Sequence, residues 1–221
     1  YLLEGKDTIP EDRGIFLNKT YRLHSKINNF ISSNFYEERL ICDERTDKRV
    51  IHFNKNSMIK DSGIHFIEMK HENNIQTSIE EFEVVNKLMK QMIGSDYEDN
   101  GKKRKLNVED FLIISPYNTQ VNLLISKLEE AKVKNPKVGT IDKFQGQEAP
   151  ITIISMTSSD SDSLPRNKEF FFSRNRLNVA ISRAQVASII LFNPLLLDSS
   201  PKNLDHIKLM NNFFKFLNYK I

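Results

Sequence analysis

Apolar residues along this 221-residue chain switch between two periods. Short runs rich in β-branched residues read as strands: "GIHFIEM" (63–69), "DFLIIS" (110–115), "ITIISM" (151–156) and "ASIILF" (187–192). Longer segments between them carry helical spacing. "SIEEFEVVNKLMKQMI" (78–93) reads as a helix capped by Ser78, with Glu81 at capping-box distance. "TQVNLLISKLEEAKV" (119–133) gathers Val121, Leu124 and Leu128 on one face, and "HIKLMNNFFKFLNY" (206–219) reads as a closing helix. The strands are apolar almost throughout, as they are when both faces of a sheet are covered. This alternation predicts an α/β layer built on a largely parallel sheet with right-handed crossovers.

One segment disturbs the pattern. "SRNRLNVAISRAQ" (173–185) reads as the helix between the last two strands, yet it holds three arginines. On a wheel of about 100° per residue, Arg176 and Arg183 fall almost on top of each other. Leu177, Val179, Ala180, Ile181 and Ala184 form the apolar arc; Asn178, Ser182 and Gln185 form the polar one. Val179 and Ala180 flank the arginines, which therefore leave from the apolar side.

The N-terminal stretch "FLNKTYRLHSKINNFISSNFYEERL" (16–40) shows a helical apolar pattern in Phe16, Leu23, Ile27, Phe30 and Ile31, with Tyr21 and Arg22 at its start. Three polar stretches, 42–49, 95–105 and 158–168, read as surface loops. No internal repeat is present. The length suits one sizeable core or two small ones. The organisation expected is a single domain over 1–221, with 1–40 a lead-in and 200–221 a terminal helix.

Composition narrows the classes. With 32 basic against 29 acidic residues, the net charge of +3 is not by itself a nucleic-acid footprint. No apolar run approaches the roughly 18–20 residues of a membrane span, and nothing resembles a signal peptide. Cys42 alone cannot form an internal disulfide framework and is compatible with a reducing compartment. His24, His52, His65, His71 and His206 show no ligand spacing, so no metal site is expected. The opening "YLLEGKDTIPEDRG" has no initiator methionine, which suggests a piece of a longer polypeptide.

Two further stretches bear chemistry. In "VGTIDKFQGQEAP" (138–150), Thr140, Asp142, Gln145, Gly146, Gln147 and Glu148 precede a strand. Gly146 permits close backbone approach to a ligand, and a neighbouring carboxylate can accept from sugar hydroxyls. In "LIISPYNTQ" (112–120), a strand ends at Ser115-Pro116-Tyr117 and runs into a helix N-terminus, a junction suited to phosphate. Taken singly, the first is weak evidence that also reads as a polar turn, and the second reads better as an ordinary strand–helix connection with Pro116 fixing the turn.

Their order is more specific. The succession "TYRLH", "ISPYNTQ", "TIDKFQGQE", "NRLNVAISRA" resembles the C-terminal motor half of superfamily 1 helicases over about residues 12–195. Within that superfamily it looks most like the nonsense-mediated-decay and senataxin-like branch, and "FFFSRNRLNVAISRA" resembles bacterial members, including helicases fused to RecB-like nucleases. The family usually has "YRMHP" where this chain has "YRLHS", so Leu23 and Ser25 depart from it without removing a charged group. Lys143 stands where the family often has a small residue.

The resemblance implies a RecA-like fold of the P-loop NTPase superfamily, second domain, with a mainly parallel sheet covered by helices on both faces. The phosphate loop GxxxxGK[ST] is absent from this sequence. It and the acidic metal-binding pair belong in such motors to an N-terminal RecA-like domain, which would hold most of the ATP and Mg2+. The fragment alone is then expected to be inactive. By resemblance Arg183 is the arginine finger and Arg22 a second arginine on the phosphates. Tyr21 lines the base or cleft wall, Gly146 and Glu148 sit at the nucleotide with Glu148 on the ribose, and Gln145 and Gln147 lie beside them. Arg176 and Asn178 brace motifs, or Arg176 acts as a phosphate-sensing partner of Arg183. Ser115, Pro116, Tyr117, Thr140 and Asp142 match the lining of a single-strand channel. The implied activity is ATP-driven translocation on single-stranded DNA or RNA, 5′-to-3′ by family branch, in the cytoplasm or at the nucleoid of a bacterium. A different class remains open: a RecA-like domain that only binds nucleic acid or protein. A nuclease has no acidic-plus-lysine cluster to support it.

Overall fold

A computed structural model of the chain describes residues 7–159 and 174–197. The expected closing helix at 206–219 and most of the 158–168 stretch lie outside them.

The centre is a five-stranded sheet in which every pairing is parallel. In chain order the elements are β1 (Lys19–Thr20), α1 (Ser25–Phe35), β2 (Ile41–Cys42), β3 (Arg49–His52), β4 (Gly63–Glu68), α2 (Ile79–Met92), β5 (Asp96–Asp99) and β6 (Lys102–Lys105). Then follow β7 (Phe111–Ile114), α3 (Asn118–Glu130), β8 (Val138–Gly139), β9 (Ala149–Ser155), α4 (Arg174–Ile181) and β10 (Ala184–Phe192). The strand order is β4-β10-β9-β7-β8. The α/β architecture expected from the apolar pattern, and the RecA-like layering that the resemblance implies, are those observed.

Alternation along the strands explains why their sequences look uniformly apolar. Leu112, Ile114, Ile154, Ile190 and Phe192 face a core shared with α1 and α4, where Ile27, Phe30 and Ile181 are buried. Phe111, Ile113, Ile151, Ile153, Ile189 and Leu191 face the opposite core beneath α2 and α3, against Val85, Leu88, Leu124 and Leu128. Each strand is thus covered on both sides.

The polar stretch at 95–105 is not a loop. It forms the antiparallel hairpin β5–β6, and β3 adds to it as a third strand. Asn100 (φ 50°) and Gly101 (φ 87°) make the turn, the positive-φ pair that an Asn-Gly hairpin turn requires. Of the β5 and β6 residues only Tyr97 is buried, so no apolar alternation betrays the hairpin. The 42–49 stretch likewise holds a short 3-10 turn, Glu44–Lys48, capped by Asp43. Helix α1 starts at Ser25, leaving Phe16, Tyr21 and Arg22 outside it. Helix α4 ends at Ile181, and Ala184 belongs to β10. Val179, assigned to the apolar arc, is exposed.

Half of the expected capping box at α2 is realised. The Ser78 hydroxyl accepts from the Glu81 N–H at 3.1 Å. The Glu81 carboxylate, however, does not return to the cap. It lies fully buried, accepting from the Ser155 hydroxyl and the Thr157 N–H, with His71 Nε2 at 3.3 Å. Burial pushes its carboxyl up, against the hydrogen bonds from His71 and Ser155. Thr157 sits at φ 73°, costly for a β-branched residue, and the Glu81 carboxylate holds it there. Removing Glu81 would leave the Thr157 N–H and its neighbours without their acceptor. Glu81→Leu is therefore expected to cost about 3 kcal/mol or more in urea unfolding, against less than about 0.5 kcal/mol for Glu83→Leu on the exposed face of the same helix. Equal costs at the two positions would show that the network does not hold this corner.

Candidate functional site

Strand register alone brings two of the proposed site residues together. Ala149 at the start of β9 pairs with Ala184 at the start of β10. The residues just before them are Glu148 and Arg183, and the Ala149 N–H donates to the Arg183 carbonyl at 3.1 Å. A third segment joins this amino edge of the sheet when the His24 N–H donates to the Gln185 carbonyl at 2.9 Å. That bond fixes the bend carrying Tyr21 and Arg22.

The side chains then converge. The Arg22 guanidinium pairs through Nε with Glu148 Oε2 and donates from Nη1 to the Ser182 carbonyl at 3.2 Å. Gln185 Nε2 donates to the other Glu148 oxygen at 2.8 Å. Arg183 reaches the Gln147 carbonyl at 3.5 Å through Nη1, while its Nε is buried with no hydrogen-bond partner. Behind Arg22, Arg49 Nη1 donates to the Arg22 carbonyl at 2.7 Å. Glu148 thus pairs directly with Arg22, while Arg49 and Arg183 act on that pair by charge from nearby and Arg49 keeps its own carboxylate, Asp99, at 3.4 Å. Burial works to raise the Glu148 carboxyl, but hydrogen bonds from Arg22 and Gln185 and the charges of Arg22 and Arg49 hold it below the ordinary range. Arg183 is pushed below its ordinary value by burial and then by the charge of Arg22.

The other residues proposed for the nucleotide lie around this cluster. Gly146 takes φ 82°, with open space where a Cβ would stand, and Gln145 and Gln147 are exposed on either side of it. Gln147 Nε2 donates to the Lys143 carbonyl at 3.4 Å. Tyr21 is 57% exposed, with Lys19 Nζ 5.5 Å and Arg45 Cζ 5.3 Å from its ring centroid. Asp43 pairs with both cations, and its carboxyl is held well below the usual range by hydrogen bonds from Arg45 and then Lys19. An open cavity of about 240 Å³ lies beside Arg22 and Ser182, lined also by Phe16 and Thr20.

Arg176 is not in this cluster. It lies at the other end of α4, its Nη1 3.9 Å from Asp142 Oδ2, near the carboxyl edge of the sheet. Thr140 and Asp142 stand there on the 3-10 turn Ile141–Phe144. Pro116 and Tyr117 are half-buried at the same edge, and the Tyr117 hydroxyl accepts from Ser158 at 3.3 Å. Burial pushes that phenol up to about 12, against the bond from Ser158. Tyr117 caps α3 by backbone position without a side-chain cap. Ser115 is fully buried, its hydroxyl 3.2 Å from that of Thr157. Lys143 folds back, donating to the Val138 carbonyl at 2.9 Å. Asn178 Nδ2 reaches the Tyr36 hydroxyl at 3.4 Å. Sequence reasoning missed Arg49, Gln185 and the Ser182 carbonyl. Among the described residues no group of His, Cys, Asp and Glu is arranged to hold a metal ion, and no helix is long and apolar enough to cross a membrane.

Residues 3–194 match the family model described as an AAA domain. The chain belongs to the AAA domain family. It is homologous to segments of helicases. One is the DNA polymerase alpha-associated DNA helicase A of Schizosaccharomyces pombe, 30% identical over 176 residues that cover 76% of this chain and 26% of that protein. Another is the RNA helicase Mov10l1 of Homo sapiens, 35% identical over 100 residues, 44% of this chain and 8% of that protein. The chain thus spans about a quarter or less of the length of these relatives. Of solved structures, methylated PRRSV nsp10 (helicase) aligns at a TM-score of 0.35 and 13% identity over 81% of this chain and 24% of that one.

The Arg22–Glu148 pair gives this AAA domain a definite pH response. The folded carboxyl binds its proton less tightly than the unfolded one, so its stabilising contribution is present above about pH 4.3 and is lost as pH falls through the folded value. Glu148→Gln should therefore flatten the decline of the thermal midpoint between about pH 5 and pH 3. Circular-dichroism melts that fall in parallel for the two proteins would refute the coupling.

Proposed function

We propose that residues 1–221 form the C-terminal RecA-like motor half of an ATP-dependent helicase or translocase of superfamily 1, with 1–40 as the lead-in carrying Arg22. The observation that carries this reading is the arginine cluster. Arg22 pairs with Glu148, Arg183 lies near enough to feel the charges of both, and the Arg183 Nε is buried without an acceptor, while Arg49, paired with Asp99, backs Arg22. A triphosphate offers the missing acceptor oxygens, so the residues present fit ATP. When bound across the cleft by an N-terminal domain holding the phosphate loop and Mg2+, ATP supplies the transferable phosphoryl group.

The chain's own residues then act on it by position and charge. Arg183 donates to the γ-phosphate oxygens as negative charge develops there, and Arg22 contacts the same oxygens from the Glu148 side. Glu148 accepts from ribose hydroxyls beside the open backbone of Gly146, and exposed Tyr21 offers its face to the base. At the carboxyl edge, Thr140, Asp142, Pro116 and Tyr117 line the path of a single strand, and the N-terminus of α3, which has no side-chain cap, faces its phosphates. Ser115 and Arg176 brace that edge. Such contacts suit DNA and RNA alike; one relative is named a DNA helicase and the other an RNA helicase. The 5′-to-3′ direction follows from the family branch.

In the full-length polypeptide, Arg183→Ala should lower nucleic-acid-stimulated ATP hydrolysis about 10³-fold or more while leaving the melting temperature within a few degrees of the parent. Stimulated turnover at the parental rate would favour the other class, a domain that only binds nucleic acid or protein. The 221-residue chain by itself should hydrolyse no ATP.

A further inference from the structure

We propose that Arg49, held by Asp99 of the β5–β6 hairpin, is a positioning residue that fixes the Arg22 end of the arginine cluster from behind. The proposal rests on the reading of Arg22 and Arg183 given above, and adds to it a residue outside every motif that led there.

The geometry is that of a bridge. Arg22 lies in the bend between β1 and α1, where no strand ladder holds its carbonyl. Arg49 Nη1 donates to that carbonyl at 2.7 Å. The other side of the same guanidinium, Nε, meets Asp99 Oδ1 at 3.4 Å. A planar guanidinium holds its donors in a rigid fork that reaches two separated acceptors, whereas an ammonium is a compact point charge with rotating donors. The side chain is only 15% exposed, so this is more than a loose surface ion pair.

Asp99 is where it is because of register. In the antiparallel pairing of β3 with β5, Arg49 stands directly opposite Asp99. The hairpin turn begins at the next residue, and the Asn100 N–H donates to the Lys48 carbonyl at 3.3 Å, closing the end of the ladder on Arg49. The three-stranded sheet, which holds none of the motif residues, thereby acquires a purpose at the site. It presents one guanidinium to the back of the bend whose front presents another. Arg49 also adds positive charge near Glu148 without touching it, partly offset by its own partner Asp99.

The test uses the full-length polypeptide, single-stranded nucleic acid and ATP. Arg49→Ala should lower the stimulated kcat about tenfold, leave KM for ATP within about twofold, and regain rate when guanidinium ion is added at millimolar concentration. Asp99→Asn should lower kcat about threefold and add nothing to Arg49→Ala in the double variant. Parental kcat in Arg49→Ala, a loss that guanidinium does not restore, or effects that multiply in the double variant would each overturn the bridge. Should Arg49→Ala fail to fold, Asp99→Asn decides alone, and parental turnover in it overturns the proposal. Arg183→Ala in the same assay separates the two levels. If it is inactive while Arg49→Ala is unaffected, the motor reading stands and only the bridge falls; if it is fully active, both fall.

Discussion

Parallel pairing of β9 with β10 is the constraint from which the site follows. Parallel neighbours begin at the same edge, so the residues before them, Glu148 and Arg183, must meet there. Each chain segment leaving a strand must also return to that edge before the next can start. Helix α4 is the return from β9 to β10, and residues 140–148 are the return from β8 to β9. These two returns lie against each other on one face of the sheet, and they run the same way. Arg176 on α4 and Arg183, two residues beyond its end, are therefore spread along a common seam. Arg176 meets Asp142 at one end, and Arg183 meets the Gln147 carbonyl at the other.

The two edges are treated very differently by the chain. Near the carboxyl edge, the buried Glu81 is matched by donors from Ser155 and Thr157 and by His71, so a costly charge and a strained backbone hold each other in place. At the amino edge, Arg22 pairs with Glu148 and Arg49 with Asp99, while Arg183 has no carboxylate of its own among the described residues and its Nε is buried without a hydrogen-bond partner. An unpartnered buried donor costs about 1–3 kcal/mol. This contrast supports the anion-binding reading proposed above, since a structural ion network such as that of Glu81 tends to close.

Much of this was legible in the sequence because the central strands are covered on both faces and carry their apolar signature within single short runs. The motif order likewise pointed to Arg22, Glu148 and Arg183. Two things were not legible. The helical spacing of 173–185 extends past Ile181, where the helix stops, so Ala184 starts a strand instead of belonging to the arc, and Val179, inside the helix, is exposed. The hairpin hid because its strands read Asp-Tyr-Glu-Asp and Lys-Lys-Arg-Lys, with Tyr97 the one inward side chain among them. Asn100-Gly101 was the available signal. Arg49 had none, since its role depends on which residue a distant strand places opposite it.

The packing also limits how the cluster can work. Ile181 and Ala184, on either side of Ser182 and Arg183, are fully buried, and the Arg183 carbonyl is held by the Ala149 N–H. Its Cα cannot travel without breaking the start of the β9–β10 ladder. Arg22 is held in the same way by the bond from His24 to Gln185 and by Arg49. A loop of this chain therefore cannot swing either guanidinium into a cleft. Only the side chains beyond fixed Cα positions, or the whole domain moving as a body, can change what the arginines face. On the motor reading, the cleft must then close by domain rotation, and Arg22 and Arg183 arrive together because one sheet edge carries both.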